Sequence, residues 1–189
     1  MGLQKLAGVV VVVGSLFFFV AAFSPISMAF FPESNSARQL EIIMNGRQAW
    51  TISHVFFGLG AVVTAVGIGL VAYHLRDLKG SSLAFLGVGA MVVGAVFWLW
   101  DVYLRTADPV GFVGGSYPAW HFVAYVFLTL AGLVAVGVVL LRSGVPNWVG
   151  WVVVVGSLVF MMAFVVFKDL PPFVFYLLTL LVGVMVYLG

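Results

Sequence analysis

Six stretches of this chain run for about twenty residues nearly free of charge, at 6–31, 49–75, 83–104, 118–141, 148–167 and 171–188. A helix rises 1.5 Å per residue, so about twenty apolar residues cross a hydrocarbon core about 30 Å thick. The rest of the composition agrees. The chain is 64% hydrophobic and 7% charged, where a soluble domain carries about 25% charged residues. Water would not solvate such a surface, and lipid does. The sequence therefore predicts an all-α, polytopic integral membrane protein, with residues 1–189 forming one bundle of about six transmembrane helices. A membrane barrel would alternate polar and apolar residues in runs of about ten, and these runs are apolar throughout.

The first run is expected to be a retained helix rather than a cleaved signal, because its apolar character continues past Pro25 to Phe31. Pro25 is expected to kink it near its end. With six spans, the long connections 32–48 and 105–117 fall on one side, together with Lys168 and Asp169. The N-terminus, the 76–82 turn, the connection after Arg142 and the C-terminus fall on the other. Each side carries four bases, so the positive-inside rule does not decide orientation by count. Lys5 and the compact basic turns favour cytoplasmic termini in a plasma membrane.

Several classes of function are excluded at this level. The chain has no cysteine, hence no disulfide, thiolate metal site, iron–sulfur cluster or c-type haem attachment. Its net charge is +2, and the bases are scattered singly, so no nucleic-acid partner is expected. No nucleophile elbow, His-Glu-x-x-His or Walker loop is present. At an offset of 70 residues Ala49-Trp50 matches Ala119-Trp120, a weak sign of internal duplication.

The polar residues inside the spans carry the functional expectation. The second span has a face of His54, Gly58, Ala61, Ala65, Gly69 and Ala72. The third has Gly87, Ala90, Gly94, Trp98, Asp101 and then Arg105. The fourth has His121, Tyr125, Leu128, Gly132 and Ala135. Small residues at helical spacing mark faces that pack against other helices. His54, Asp101 and His121 each lie about 6 Å inside the same boundary, with Arg47 and Arg105 just above. Intramembrane ionisable groups are costly and mark function by default. Plainer roles exist for the same residues: Trp and Tyr as interfacial anchors, Asp101 and Arg105 as a mutually neutralising pair, and the histidines as structural hydrogen-bonders.

The first expectation is a membrane redox subunit holding b-type haem or a quinone near the long-loop face, working with other membrane subunits. His54 and His121 would ligate the haem iron and Arg47 and Arg105 would meet its propionates. Asp101 would orient a histidine or carry a proton. The alternatives are a transport or ligand-binding protein, a structural subunit, and a metal-dependent enzyme using His54, His121 and Asp101.

Overall fold

The computed structural model describes residues 2–168 and 170–189, so Asp169 lies outside the described residues. The protein is 82% helix, with no strand among the described residues. Five helices have the length and hydropathy to cross a membrane: α1 (Leu3–Ala22), α4 (Arg47–His74), α5 (Ser81–Ala107), α7 (Trp120–Leu140) and α8 (Asn147–Phe167). The sixth, α9 (Phe173–Leu188), has 16 residues. The chain is an integral membrane protein, and its outward Leu86, Met162 and Phe167, each at least 70% exposed, face lipid.

The first run is not one kinked helix. It ends at Ala22 and restarts as α2 (Pro25–Phe30). Pro25 supplies no N–H and occupies N1 of α2, where none is needed. Breaking a helix inside a membrane frees carbonyls that must be satisfied internally. Ser24 Oγ donates to the Ala21 carbonyl at 2.8 Å and Ser53 Oγ donates to it at 3.1 Å. The 32–48 connection is not a plain loop either. It contains α3 (Ser36–Asn45), capped by Asn35, whose side chain accepts from Arg38 N at 3.1 Å. This helix is amphipathic: Ile43 is fully buried with Ile26, Phe30 and Trp50, while Arg38 and Glu41 remain exposed. The 105–117 connection holds α6 (Pro109–Val113), capped by Asp108.

The six long helices form a closed ring. Each packs on the next in chain order, α1 on α4, α4 on α5, α5 on α7, α7 on α8 and α8 on α9, and α9 returns to α1. Both termini meet at one end: Gln4 Nε2 donates to the Val186 carbonyl at 3.0 Å, and Gln4, His74, Ser143 and Gly189 share a shallow pocket. We call this the turn end and the other the long-loop end. Interior positions are filled by Phe18, Phe57, Trp98, Tyr125, Phe175 and Tyr176.

Glycines set the closest crossings. A Cβ on Gly14 would lie 2.5 Å from Thr64 N, and one on Gly67 would lie 2.6 Å from Val11 N, so α1 and α4 touch backbone to backbone. In the α5/α7 pair, Gly87 and Gly132 play the same part, and a Cβ on Gly94 would lie 3.3 Å from Thr129 Oγ1. Both pairs therefore place a Thr-x-x-Gly sequence, at Thr64 and at Thr129, against a glycine of the preceding long helix. An aromatic residue follows that glycine by four positions, Phe18 in α1 and Trp98 in α5. The register suggested by Trp50 and Trp120 does not hold, because Trp50 is fully buried and Trp120 is 51% exposed.

Candidate functional site

The α1/α2 break, the start of α9 and the inner faces of α4, α5 and α7 enclose a cavity of about 400 Å³ at the long-loop end. Its aromatic lining includes Phe18, Phe57, Trp98 and Phe122, with Phe31 and Phe173 on other sides. The floor is rigidly stacked. Phe18 lies on Tyr176 with ring centroids 3.8 Å apart, and Trp98 lies on Tyr125 at 4.7 Å. Beneath them the Tyr125 and Tyr176 hydroxyls, both buried, share a 2.8 Å hydrogen bond that gives each a partner. Trp98 is fixed further by its indole N–H, which donates to the Phe57 carbonyl at 3.2 Å.

One cation enters this apolar space. Arg105 lines the cavity, with its guanidinium carbon 5.4 Å from the Trp98 ring centre, 4.7 Å from Phe112 and 5.9 Å from Phe122. Its Nε donates to Asp101 Oδ2. The two side chains are 11% and 13% exposed, so the pair is nearly buried and is neutral as a unit. The remaining guanidinium N–H groups are donors that this carboxylate bond does not use.

The expected residues divide into three environments. Asp101 and Arg105 form the ion pair. His54 is joined to them through Trp50: the Trp50 indole donates to the Arg105 carbonyl at 3.1 Å, and the His54 and Trp50 rings lie 4.0 Å apart. His54 Nδ1 sits 2.9 Å from the Trp50 carbonyl, an acceptor, so Nδ1 carries the proton. Nε2 is then a buried acceptor with no partner among the described residues. His121 stands apart, beside Trp120 in a groove between α5 and α7 that opens outward. Arg47 is exposed at the start of α4 and approaches Met44 Sδ at 4.0 Å. Among the described residues no group of three or more His, Asp or Glu gathers as metal ligands.

Trp50 and Trp98 do not act as interfacial anchors, since they are 0% and 2% exposed. Trp100, Tyr103 and Trp120 are more than half exposed and fit that role. Sequence reasoning misses Phe18, the α2 segment and Phe173. The readable signal for Phe18 is its place four residues after Gly14, matching Trp98 after Gly94.

Outside the spans, Asp108 fastens the α6 turn. Its Oδ1 accepts from Gly111 N at 3.0 Å and its Oδ2 from the Tyr117 hydroxyl at 2.6 Å. The Gly111 N–H, then the Tyr117 hydroxyl, hold this carboxyl below the usual carboxylate range. Donation to Asp108 pushes the Tyr117 phenol up.

Compared with protein-family models, with curated proteins and with solved structures, the chain finds no match.

Proposed function

We propose that this membrane protein binds a flat, lipid-soluble carbonyl compound of the quinone class in the aromatic cavity, as a subunit of membrane electron transport. The observation that carries this reading is the Arg105 guanidinium in the aromatic cavity wall, its charge already matched by Asp101. An anionic ligand would place a second negative charge beside a guanidinium already matched by Asp101. A cationic one would meet Arg105 unfavourably. A neutral carbonyl accepts from the guanidinium N–H groups that the Asp101 bond does not use, without disturbing the balance. Ring faces on several sides suit a planar molecule.

The quinone branch takes precedence over haem for a positional reason. Neither His54 nor His121 lines the cavity, and the unpartnered Nε2 of His54 is sealed from solvent. Partner subunits would meet the broad apolar outer face of α8, where Trp151, Val155, Leu158 and Met162 are exposed. We place the turn end in the cytoplasm of a cell-membrane protein, because Arg76, Lys79 and Arg142 lie at or beside short connections there and Lys5 lies in the first turn of α1.

Titration of the detergent-purified protein with decylubiquinone, followed by tryptophan fluorescence, tests the reading. Saturable quenching is expected, largely removed by Trp98→Phe. Arg105→Gln should weaken binding about tenfold, the scale of a hydrogen bond from a charged donor. Quenching that never saturates, or that ignores both substitutions, would overturn it.

A further inference from the structure

The aromatic cavity is closed on its inner side and open on its outer one. Phe18, Phe57 and Trp98 line it and are buried, whereas Phe23, Met28 and Phe31 line it and are 56%, 55% and 49% exposed. The exposed lining, with Pro32 and Pro171, borders a gap between α2 and the start of α9. α2 packs on α1, α3 and α4, and among the described residues it has no comparable packing on α9. The wall is opened here by the α1/α2 break and by the start of α9 only at Phe173. Backbone outside a helix is costly beside hydrocarbon, because its N–H and C=O groups find no water. Prolines lower that cost at this gap. Pro32, Pro171 and Pro172 all line the cavity and have no N–H to satisfy. The Pro171 and Pro172 carbonyls accept from Val174 N at 3.1 Å and from Phe175 N at 3.3 Å. The rim is thus built to face lipid chains.

We propose that the cavity takes an amphiphile head first, and that the ligand's isoprenoid or alkyl chain leaves through the α2/α9 gap into the bilayer. This rests on the reading of the cavity as a site for a neutral carbonyl compound. Polarity sets the direction of binding. Arg105 and Ser27 are the polar side chains of the lining. The Ser27 hydroxyl is already engaged, 3.0 Å from both Ser24 Oγ and Ser53 Oγ. The guanidinium N–H groups that Asp101 does not use are left as the anchor for a head group. Size sets the limit. A volume of about 400 Å³ is at the low end for small-molecule sites. It holds a substituted ring but not a long chain folded beside it. The chain must therefore continue outside, and the gap offers it apolar side chains and proline backbone without N–H donors. The ligand is drawn from the pool dissolved in the membrane, not from water.

The test places the unmodified chain in phosphatidylcholine nanodiscs with a decylubiquinone analogue that carries a diazirine on the third carbon of its chain. After illumination and peptide mapping, labelling is expected to concentrate in residues 23–32 and 171–173 and to be competed by decylubiquinone. Labelling centred on α3 and α6 would mean entry from water, and labelling spread evenly over the lipid-facing surface would mean no defined path. Either result overturns the proposal. A second measurement follows tryptophan quenching by decylubiquinone and by its tailless head, 2,3-dimethoxy-5-methyl-1,4-benzoquinone. Met28→Gln keeps the side-chain length and puts an amide at the rim, where a passing apolar chain must desolvate it. It should weaken decylubiquinone about fivefold more than it weakens the tailless head. Equal effects on the two compounds would also sink the proposal. Failure of the carbonyl reading itself looks different: neither quinone would then quench saturably or respond to Trp98→Phe, and both ideas fall together.

Discussion

At Arg105 three demands meet on one side chain. Its guanidinium neutralises Asp101, covers three aromatic rings, and lines the cavity, while its backbone carbonyl receives the Trp50 indole. Removing only the carboxylate leaves a nearly buried charge unmatched. Asp101→Leu should therefore cost about 3 kcal/mol of unfolding free energy in mixed micelles. The double change Asp101→Leu with Arg105→Leu should cost less than Asp101→Leu alone, and a larger loss in the double variant would refute the charge-pair account. The pairing itself is legible in the sequence, because four positions on a helix bring two side chains together. The burial of Trp50 and Trp98 is not, since tryptophans near span ends have the same composition whether they anchor to lipid or point inward. What separates them is phase: Trp98 continues the Gly87–Gly94 face, whereas Trp100 does not. Asp108 gives a pH signature at the same scale. Its folded carboxyl is lowered, so its support of the α6 turn is present above the ordinary carboxylate range and fades as pH falls through the lowered value. Amide exchange at Gly111 should accelerate over that acidic interval in the unmodified chain and show no such step in Asp108→Asn.

Among the elements, the α1/α4 and α5/α7 pairs are held by close backbone approach, and two glycine substitutions separate that effect from propensity. Gly14→Ala inserts a methyl group against the Thr64 backbone and should destabilise by about 1–3 kcal/mol. Gly89 lies in the same kind of apolar helix, but a methyl group there would meet nothing within 4 Å, so Gly89→Ala should gain about 0.5–1 kcal/mol. Thermal melts of both variants in one detergent check the contrast. Ala65 and Val66 give a second pair: Ala65 is 5% exposed and Val66 is 55% exposed, so only Ala65→Leu should lower the melting temperature appreciably. The six apolar runs are legible because length and hydropathy suffice for them. The α3 and α6 segments are not, since short interfacial helices depend on caps such as Asn35 and Asp108 and carry no long apolar run. The break at Ser24 reads as a kink in the sequence because Pro25 alone does not reveal that Ser24 and Ser53 satisfy the freed carbonyl. The shared depth of His54, Asp101 and His121 is likewise readable, but depth gives no azimuth: His121 lines an outward groove, whereas His54 and Asp101 line neither that groove nor the cavity.

For the molecule as a whole, the even number of long helices places both termini at one end, and the chain's lack of cysteine makes this directly measurable. Single cysteines at Ser36 and Ser116 should react with an impermeant maleimide from the same side of sealed vesicles, and one at Ser82 from the other. Opposite-side labelling of Ser36 and Ser116 would break the six-helix ring. That ring is not equally firm around its circumference. Of its six joints, α8 against α9 has the least contact, whereas glycine-mediated approaches join α1 to α4 and to α9, α5 to α7, and α7 to α8. The structure thus resembles a barrel with one compliant stave seam. Bilayer lateral pressure acts on every helix, but the seam is where it converts into strain. Thickening or stiffening the membrane should change the width between α8 and α9 before any other joint responds. Because the start of α9, at Phe173, lines the aromatic cavity, a change at that seam should alter how widely the cavity stands open.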